Sequence, residues 1–223
     1  MKVPFYKPSL GPEEIDEVVA TLKSGWLTTG PRVKQFEEEF ARFLGHTHAV
    51  AVNSCTAALH LALDAVGVKE GDTVVVPTMT FAATAEVVRY FNAHPLLVDC
   101  RTEDLNLDVA DAEAKINGAL KRGEKVVAII PMHYGGQIGD AAGVRSLARR
   151  YQFKVVEDAA HCCPGFYRDG DGEAWKTVGA EADISCYSFY ANKTITTGEG
   201  GMACTHNEAC ATDAHHVVAR PLA

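Results

Sequence analysis

Between residues 48 and 158 short runs of β-branched residues alternate with stretches of helical period, and no other feature restricts the fold as much. His48-Ala49-Val50-Ala51-Val52, Thr73-Val74-Val75-Val76-Pro77, Leu96-Leu97-Val98-Asp99, Val126-Val127-Ala128-Ile129-Ile130 and Lys154-Val155-Val156-Glu157-Asp158 read as strands. Their apolar residues run on without polar alternation, which marks strands covered on both faces. Helices are predicted between them, near residues 56–66, 81–92, 109–120 and 140–151. Such an order predicts an α/β/α sandwich around a largely parallel sheet. Two earlier helices are predicted at 12–24 and 33–44, joined by the turn-rich Gly25-Trp26-Leu27-Thr28-Thr29-Gly30-Pro31. After His161 the rhythm breaks. Residues 164–182 read as an irregular or hairpin excursion. The last two strands, Asp183-Ile184-Ser185-Cys186-Tyr187-Ser188-Phe189 and Gly201-Met202-Ala203-Cys204-Thr205, have only a loop between them. The sheet is therefore expected to be mixed, mostly parallel and seven-stranded.

Size and charge exclude several roles. With 223 residues, 47% of them hydrophobic, the chain suits one large domain, with or without extensions. Its formal net charge is −8 and it has no Lys/Arg-rich block, so no nucleic-acid partner is expected. No run approaches the roughly 20 apolar residues that span a bilayer. Met1-Lys2-Val3-Pro4-Phe5-Tyr6 lacks the pattern of a secretory signal, so a cytoplasmic location is expected. The seven cysteines form no C-x-x-C pair and mostly lie in or beside apolar runs. Reduced thiols suit them better than a disulfide framework or a structural zinc site.

In open α/β sheets ligands bind where strands end, and four strand ends carry chemistry. Asn53-Ser54-Cys55-Thr56-Ala57-Ala58 follows one strand and opens a helix. Its hydroxyls suit an N-cap, and its free N–H groups suit a phosphate. Pro77-Thr78-Met79-Thr80-Phe81 offers an aromatic, either for the core or for the face of a flat ring. Glu157-Asp158-Ala159-Ala160-His161 ends a buried strand on carboxylates, which are costly there unless paired or hydrogen-bonded. A metal site would need further ligands nearby. A protonated pyridine nitrogen opposite Asp158 is an alternative. Finally, Lys193 sits among aromatic and β-branched neighbours, five residues after Ser188, with no second charge before Glu199. Lysines are ordinarily solvated. One held in apolar surroundings loses its proton more easily and can bond an aldehyde. Each feature has an ordinary structural explanation. Together they supply what pyridoxal 5′-phosphate requires.

Gly25-Trp26-Leu27-Thr28-Thr29-Gly30-Pro31, Asn53-Ser54-Cys55-Thr56-Ala57-Ala58-Leu59, His133-Tyr134-Gly135-Gly136-Gln137, Glu157-Asp158-Ala159-Ala160-His161 and the stretch from Ser188 to Gly201 together resemble the DegT/DnrJ/EryC1/StrS family of sugar aminotransferases, from about residue 4 to 205. The resemblance implies the fold-type I large domain and pyridoxal phosphate as cofactor. Lys193 then corresponds to the lysine that bonds the cofactor, Asp158 to the acid at the pyridine nitrogen, and His161 to the residue near the phenolic oxygen. Phe81 corresponds to the aromatic on the ring. Cys55, Thr56 and Ser188 stand at the phosphate, and Trp26, Leu27, Thr28 and Thr29 at the substrate entrance. Implied substrates are an amino acid donor, usually glutamate, and a keto sugar linked to a nucleotide, in polysaccharide or secondary-metabolite biosynthesis. The resemblance further implies a homodimer and a smaller C-terminal domain, for which these 223 residues show no counterpart. Residues 206–223 form a tail without recognisable family pattern. Two other readings stand beside a transaminase: a silent relative that binds a sugar nucleotide or regulates a partner, and a lyase or dehydratase of the same fold. In the dehydrating branch histidine replaces the lysine, which Lys193 argues against.

Overall fold

The computed structural model describes residues 3–4 and 6–219, with side chains up to 214. Residues 1, 2, 5 and 220–223 lie outside the described residues, and with them half of the stretch read against a secretory signal and the end of the tail.

Seven strands form one sheet in the order β1-β9-β8-β5-β4-β2-β3. They are β1 (His48–Val52), β2 (Thr73–Pro77), β3 (His94–Val98), β4 (Val126–Ile129), β5 (Lys154–Asp158), β8 (Ile184–Ser188) and β9 (Gly201–Thr205). β9 is antiparallel to both its neighbours, and every other pairing is parallel. The carboxyl ends of β1, β2, β5 and β8 therefore share one edge of the sheet, and the first residue of β9 returns to that edge. The excursion at 164–182 contains a short antiparallel pair, β6 (Phe166–Tyr167) and β7 (Lys176–Thr177).

Burial on both faces explains the unbroken apolar runs. In β2, Val74 and Val76 pack with α3 (Cys55–Ala65) and α4 (Ala82–Arg89), while Val75 packs on the opposite side with α5 (Val109–Lys121) and α6 (Ala141–Tyr151). All three valines are fully buried, and each such side chain stabilises the fold by about 1.5–3 kcal/mol. A third cluster joins α2 (Pro31–Leu44) to β1, β8 and β9. There Phe40 packs against Tyr187 and Phe189 at 5.3 and 5.2 Å between ring centroids. Phe36 completes it, 5.2 Å from Phe189.

Several boundaries moved, for local reasons. α2 starts at Pro31, where a proline without an N–H suits the first turn. α4 ends at Arg89, and beyond it Asn92 takes a left-handed conformation (φ 55°). The tail in which no family pattern is recognisable contains a helix, α7 (Glu208–Ala219). Asn207 opens it, its side-chain oxygen accepting from the Ala209 and Cys210 N–H groups. Its described buried residues are the alanines 211 and 214, which leave little apolar contrast for a periodicity to show.

α1 (Pro12–Ser24) differs from the other helices. It has no buried residue, and an ion pair from Arg32 to Glu17 links it to α2. No helix is long and apolar enough to cross a membrane among the described residues.

Candidate active site

The shared strand edge opens into a cleft of about 620 Å³. Its wall includes Cys55, Thr56, Phe81, Asp158, His161, Ser188 and Lys193. All seven residues assigned to a cofactor from the sequence thus meet in one place, brought there by β1, β2, β5 and the β8–β9 loop.

Ser54 caps α3, its hydroxyl accepting from the Ala57 N–H at 3.1 Å. The N–H groups of Cys55 and Thr56 belong to the first turn and have no intrahelical acceptor. The helix dipole adds positive potential at the same spot. Gly201 permits this arrangement, because a Cβ there would lie within 3.0 Å of the Ser54 carbonyl and the Cys55 nitrogen. The α3 start therefore rests directly on β9. Burial pushes the Cys55 thiol well above its usual range, helped by the charge of Asp158, so it stays neutral at pH 7.

Asp158 ends β5, and because strand residues alternate sides, it faces the cleft while its neighbour Glu157 turns away. Glu157 accepts the Gly179 N–H at 2.7 Å, under the excursion at 164–182. Asp158 is 3% exposed, and it accepts hydrogen bonds from the Thr84 hydroxyl at 2.7 Å and the Ala160 N–H at 3.1 Å. The acid foreseen as costly is thus hydrogen-bonded. Among the described residues no ion pair reaches it, which leaves room for a cationic ligand group.

His161 Nδ1 accepts the Gly135 N–H at 3.2 Å, so its proton sits on Nε2. Burial lowers its pKa, as does the Lys193 charge, while Asp158 opposes them. The ring is neutral near pH 7 and donates from Nε2.

Lys193 lies at the tip of the loop joining β8 to β9. The base of that loop is closed by the Phe189 N–H bond to Gly200 (2.9 Å) and the Thr197 N–H bond to Phe189 (3.0 Å). Lys193 itself is fixed by its N–H to the Tyr190 carbonyl at 2.9 Å. Phe189, 1% exposed within the aromatic cluster, anchors the whole loop to α2. Burial lowers the Lys193 pKa, while Cys55 and Asp158 pull it up. With the Cys55 thiol neutral, only the Asp158 part of that pull acts at pH 7, so desolvation dominates.

Ser188 is buried at the end of β8, and its hydroxyl accepts the Tyr190 N–H at 3.3 Å. Phe81 is no core residue: it is 72% exposed at the N-cap of α4, free to cover a flat ring. Trp26, Leu27, Thr28 and Thr29 do not line the cleft. Their loop closes on itself through the Trp26 Nε1 bond to the Thr29 carbonyl at 3.1 Å. The wall also contains Thr80, Tyr134, Tyr190, Asn192 and Glu199, which the sequence did not single out as ligands. Their motifs were visible, but not which side chains turn inward.

The donor set fits pyridoxal phosphate. An N–H-rich helix start suits the phosphate, a buried carboxylate without a cation suits the pyridine nitrogen, and an amine with a depressed pKa suits the aldehyde.

The chain is similar to several known proteins. SpsC of Bacillus subtilis, a spore coat polysaccharide biosynthesis protein, is 43% identical over 206 residues, covering 92% of this chain and 50% of SpsC. Spr1654 of Streptococcus pneumoniae, described as a sugar aminotransferase and solved in PLP and PMP forms, superposes with a TM-score of 0.86 in both forms at 30% identity. The match covers 96% of this chain and 57% of the PLP-form chain. PseC of Helicobacter pylori, an aminotransferase involved in the biosynthesis of pseudoaminic acid, gives a TM-score of 0.83 at 29% identity, over 95% of this chain and 54% of PseC. The chain spans about half the length of the curated relatives it matches. The family model matches residues 8–219, through α7 and past the 205 read from the motifs, and the chain belongs to the DegT/DnrJ/EryC1/StrS aminotransferase family.

Proposed function

We propose that the chain is the cofactor-binding portion of a pyridoxal phosphate-dependent aminotransferase, moving an amino group from an amino acid, glutamate in our reading, to a nucleotide-linked keto sugar. One observation carries this reading: Lys193, Asp158 and the start of α3 line a single cleft. The names of SpsC and PseC support a sugar acceptor and a role in polysaccharide biosynthesis. The reading extends to a homodimer in the cytoplasm, the form that the family resemblance implies.

Bound pyridoxal phosphate supplies an aldehyde that takes up amines and a ring that accepts electrons. The N–H groups of Cys55 and Thr56 and the Ser188 hydroxyl hold the phosphate. Asp158 holds a proton on the ring nitrogen, and neutral His161 donates its Nε2 proton toward the phenolic oxygen. Phe81 covers one ring face and excludes water. Lys193 Nζ, its pKa lowered by burial, would hold the cofactor through its aldehyde and would serve as the base for a proton at a bound amino acid's α-carbon. Trp26, Leu27, Thr28 and Thr29, outside the cleft wall, keep only the substrate-entrance role that the family resemblance implies.

Adding pyridoxal phosphate to the chain is expected to give an absorbance band near the visible edge, absent in Lys193→Ala. A band that persisted in the variant would remove Lys193 from its role. Glutamate is then expected to convert the bound cofactor to pyridoxamine phosphate, and conversion by another amino acid but not by glutamate would exclude glutamate as donor.

A further inference from the structure

Asp158 is held by a residue outside every motif of the site. Thr84 lies within α4, is fully buried, and places its hydroxyl 2.7 Å from Asp158 Oδ2. The same hydroxyl lies 2.6 Å from Thr80 Oγ1. An ionised carboxylate only accepts, so the single Thr84 proton points to Asp158, and Thr80 must supply the proton in the bond between the threonines. The result is a directed relay from the cleft wall through Thr84 to the carboxylate, with each bond polarising the next. A threonine within a helix can turn its hydroxyl to solvent or bond it to its own backbone. This one reaches a strand end 74 positions away. The first member of the relay, Thr80, precedes Phe81 directly and lines the same cleft.

The geometry points to Thr84 as a positioning residue. With Thr80 it holds the Asp158 carboxylate in one orientation, and it ties that carboxylate to the loop bearing Phe81. The group at the edge of a bound pyridine ring and the group on its face are thereby set by one hydrogen-bonded unit. This assignment rests on the cleft being the pyridoxal phosphate site.

Thr84→Val keeps the shape and removes the hydroxyl, and Thr84→Ser keeps the hydroxyl. Pyridoxamine phosphate serves as the probe, since it binds without a bond to Lys193. Its affinity is expected to fall about tenfold in Thr84→Val, the loss of one hydrogen bond to a charged group, and less than about threefold in Thr84→Ser. In an Asp158→Ala background Thr84→Val should weaken binding no further. Affinity for inorganic phosphate, held at α3, should not change with Thr84→Val. An unchanged pyridoxamine phosphate affinity in Thr84→Val would overturn the assignment, as would an equal loss with and without Asp158. The same cycle is read on urea stability without cofactor: Thr84→Val should destabilise the chain more with Asp158 present than without it, since the bond to Thr80 is lost in both. A chain that shows this coupling but binds no pyridoxamine phosphate keeps the relay and refutes the cofactor reading. A chain that binds it without such coupling refutes the relay alone.

Discussion

At single residues, burial decides which groups are charged. His46 shows this away from the cleft. Burial lowers its pKa from 6.5 to about 4, with the nearby His206 charge acting the same way, while the Val178 carbonyl and Glu157 oppose them. The folded chain therefore keeps His46 neutral at a pH where the unfolded chain protonates it. A depressed native pKa means that the unfolded state binds more protons, so stability falls as pH drops from 6.5 toward 4 and this contribution then levels off. The whole effect amounts to about 3 kcal/mol at most. Urea melts of His46→Asn between pH 7 and 4 should show a shallower acid slope than the parent chain; equal slopes would remove His46 as the cause. In Lys193 the same desolvation favours the neutral amine, the form that the proposed bond to an aldehyde requires. The sequence showed its apolar neighbours. It did not show that Asp158 would be the opposing charge, or that Cys55 would be too buried to ionise.

At the level of elements, the site depends on how closely a strand and a helix approach. Gly201 opens β9 against the first turn of α3, with no space for a Cβ beside the Ser54 carbonyl and the Cys55 nitrogen. Backbone atoms cannot rotate aside as a side chain can, so Gly201→Ala should push the α3 start off the sheet. We expect it to destabilise the chain by about 1–3 kcal/mol, as overpacking does, and to weaken inorganic phosphate binding; an unchanged phosphate affinity would show that the α3 start does not hold the anion. The loop between α1 and α2 gives the converse case. Trp26 lies outside the cleft wall, so Trp26→Ala should leave pyridoxamine phosphate affinity within about twofold of the parent, well below the tenfold worth of one lost contact. A larger loss, measured by fluorescence titration, would place that loop against the cofactor.

At the scale of the whole molecule, an apolar helix face stands uncovered. Ile15, Val18, Val19 and Leu22 recur at helical spacing along α1 and are 58%, 60%, 38% and 60% exposed. A contiguous apolar stripe in water favours association. The 223-residue chain should self-associate with rising concentration in sedimentation experiments. Val18→Lys with Leu22→Lys should reduce this without altering cofactor affinity; self-association unchanged by the pair would locate the sticky surface elsewhere. The layers of the molecule were legible beforehand because burial on both faces leaves a mark in each strand, as in Thr73-Val74-Val75-Val76-Pro77, whose valines feed two different clusters. The candidate site was legible at Asp158 and Lys193, which line one cleft, since a carboxylate ending a buried strand and a lysine among apolar residues are each costly unless something offsets the burial. α7 was not, because small buried alanines carry little periodic contrast. Thr84 was not either, because a threonine inside a helix pattern looks like any helix residue until a strand end 74 positions later is brought to it. Sequence alone determined the strand–helix rhythm, the mixed sheet and the chemical types at the strand ends, since these depend on local patterns of burial and charge. Only the tertiary structure decided the strand order, the inward-facing side chains and the Thr80–Thr84–Asp158 relay, because hydrogen bonds and desolvation act across space between residues that no local pattern connects.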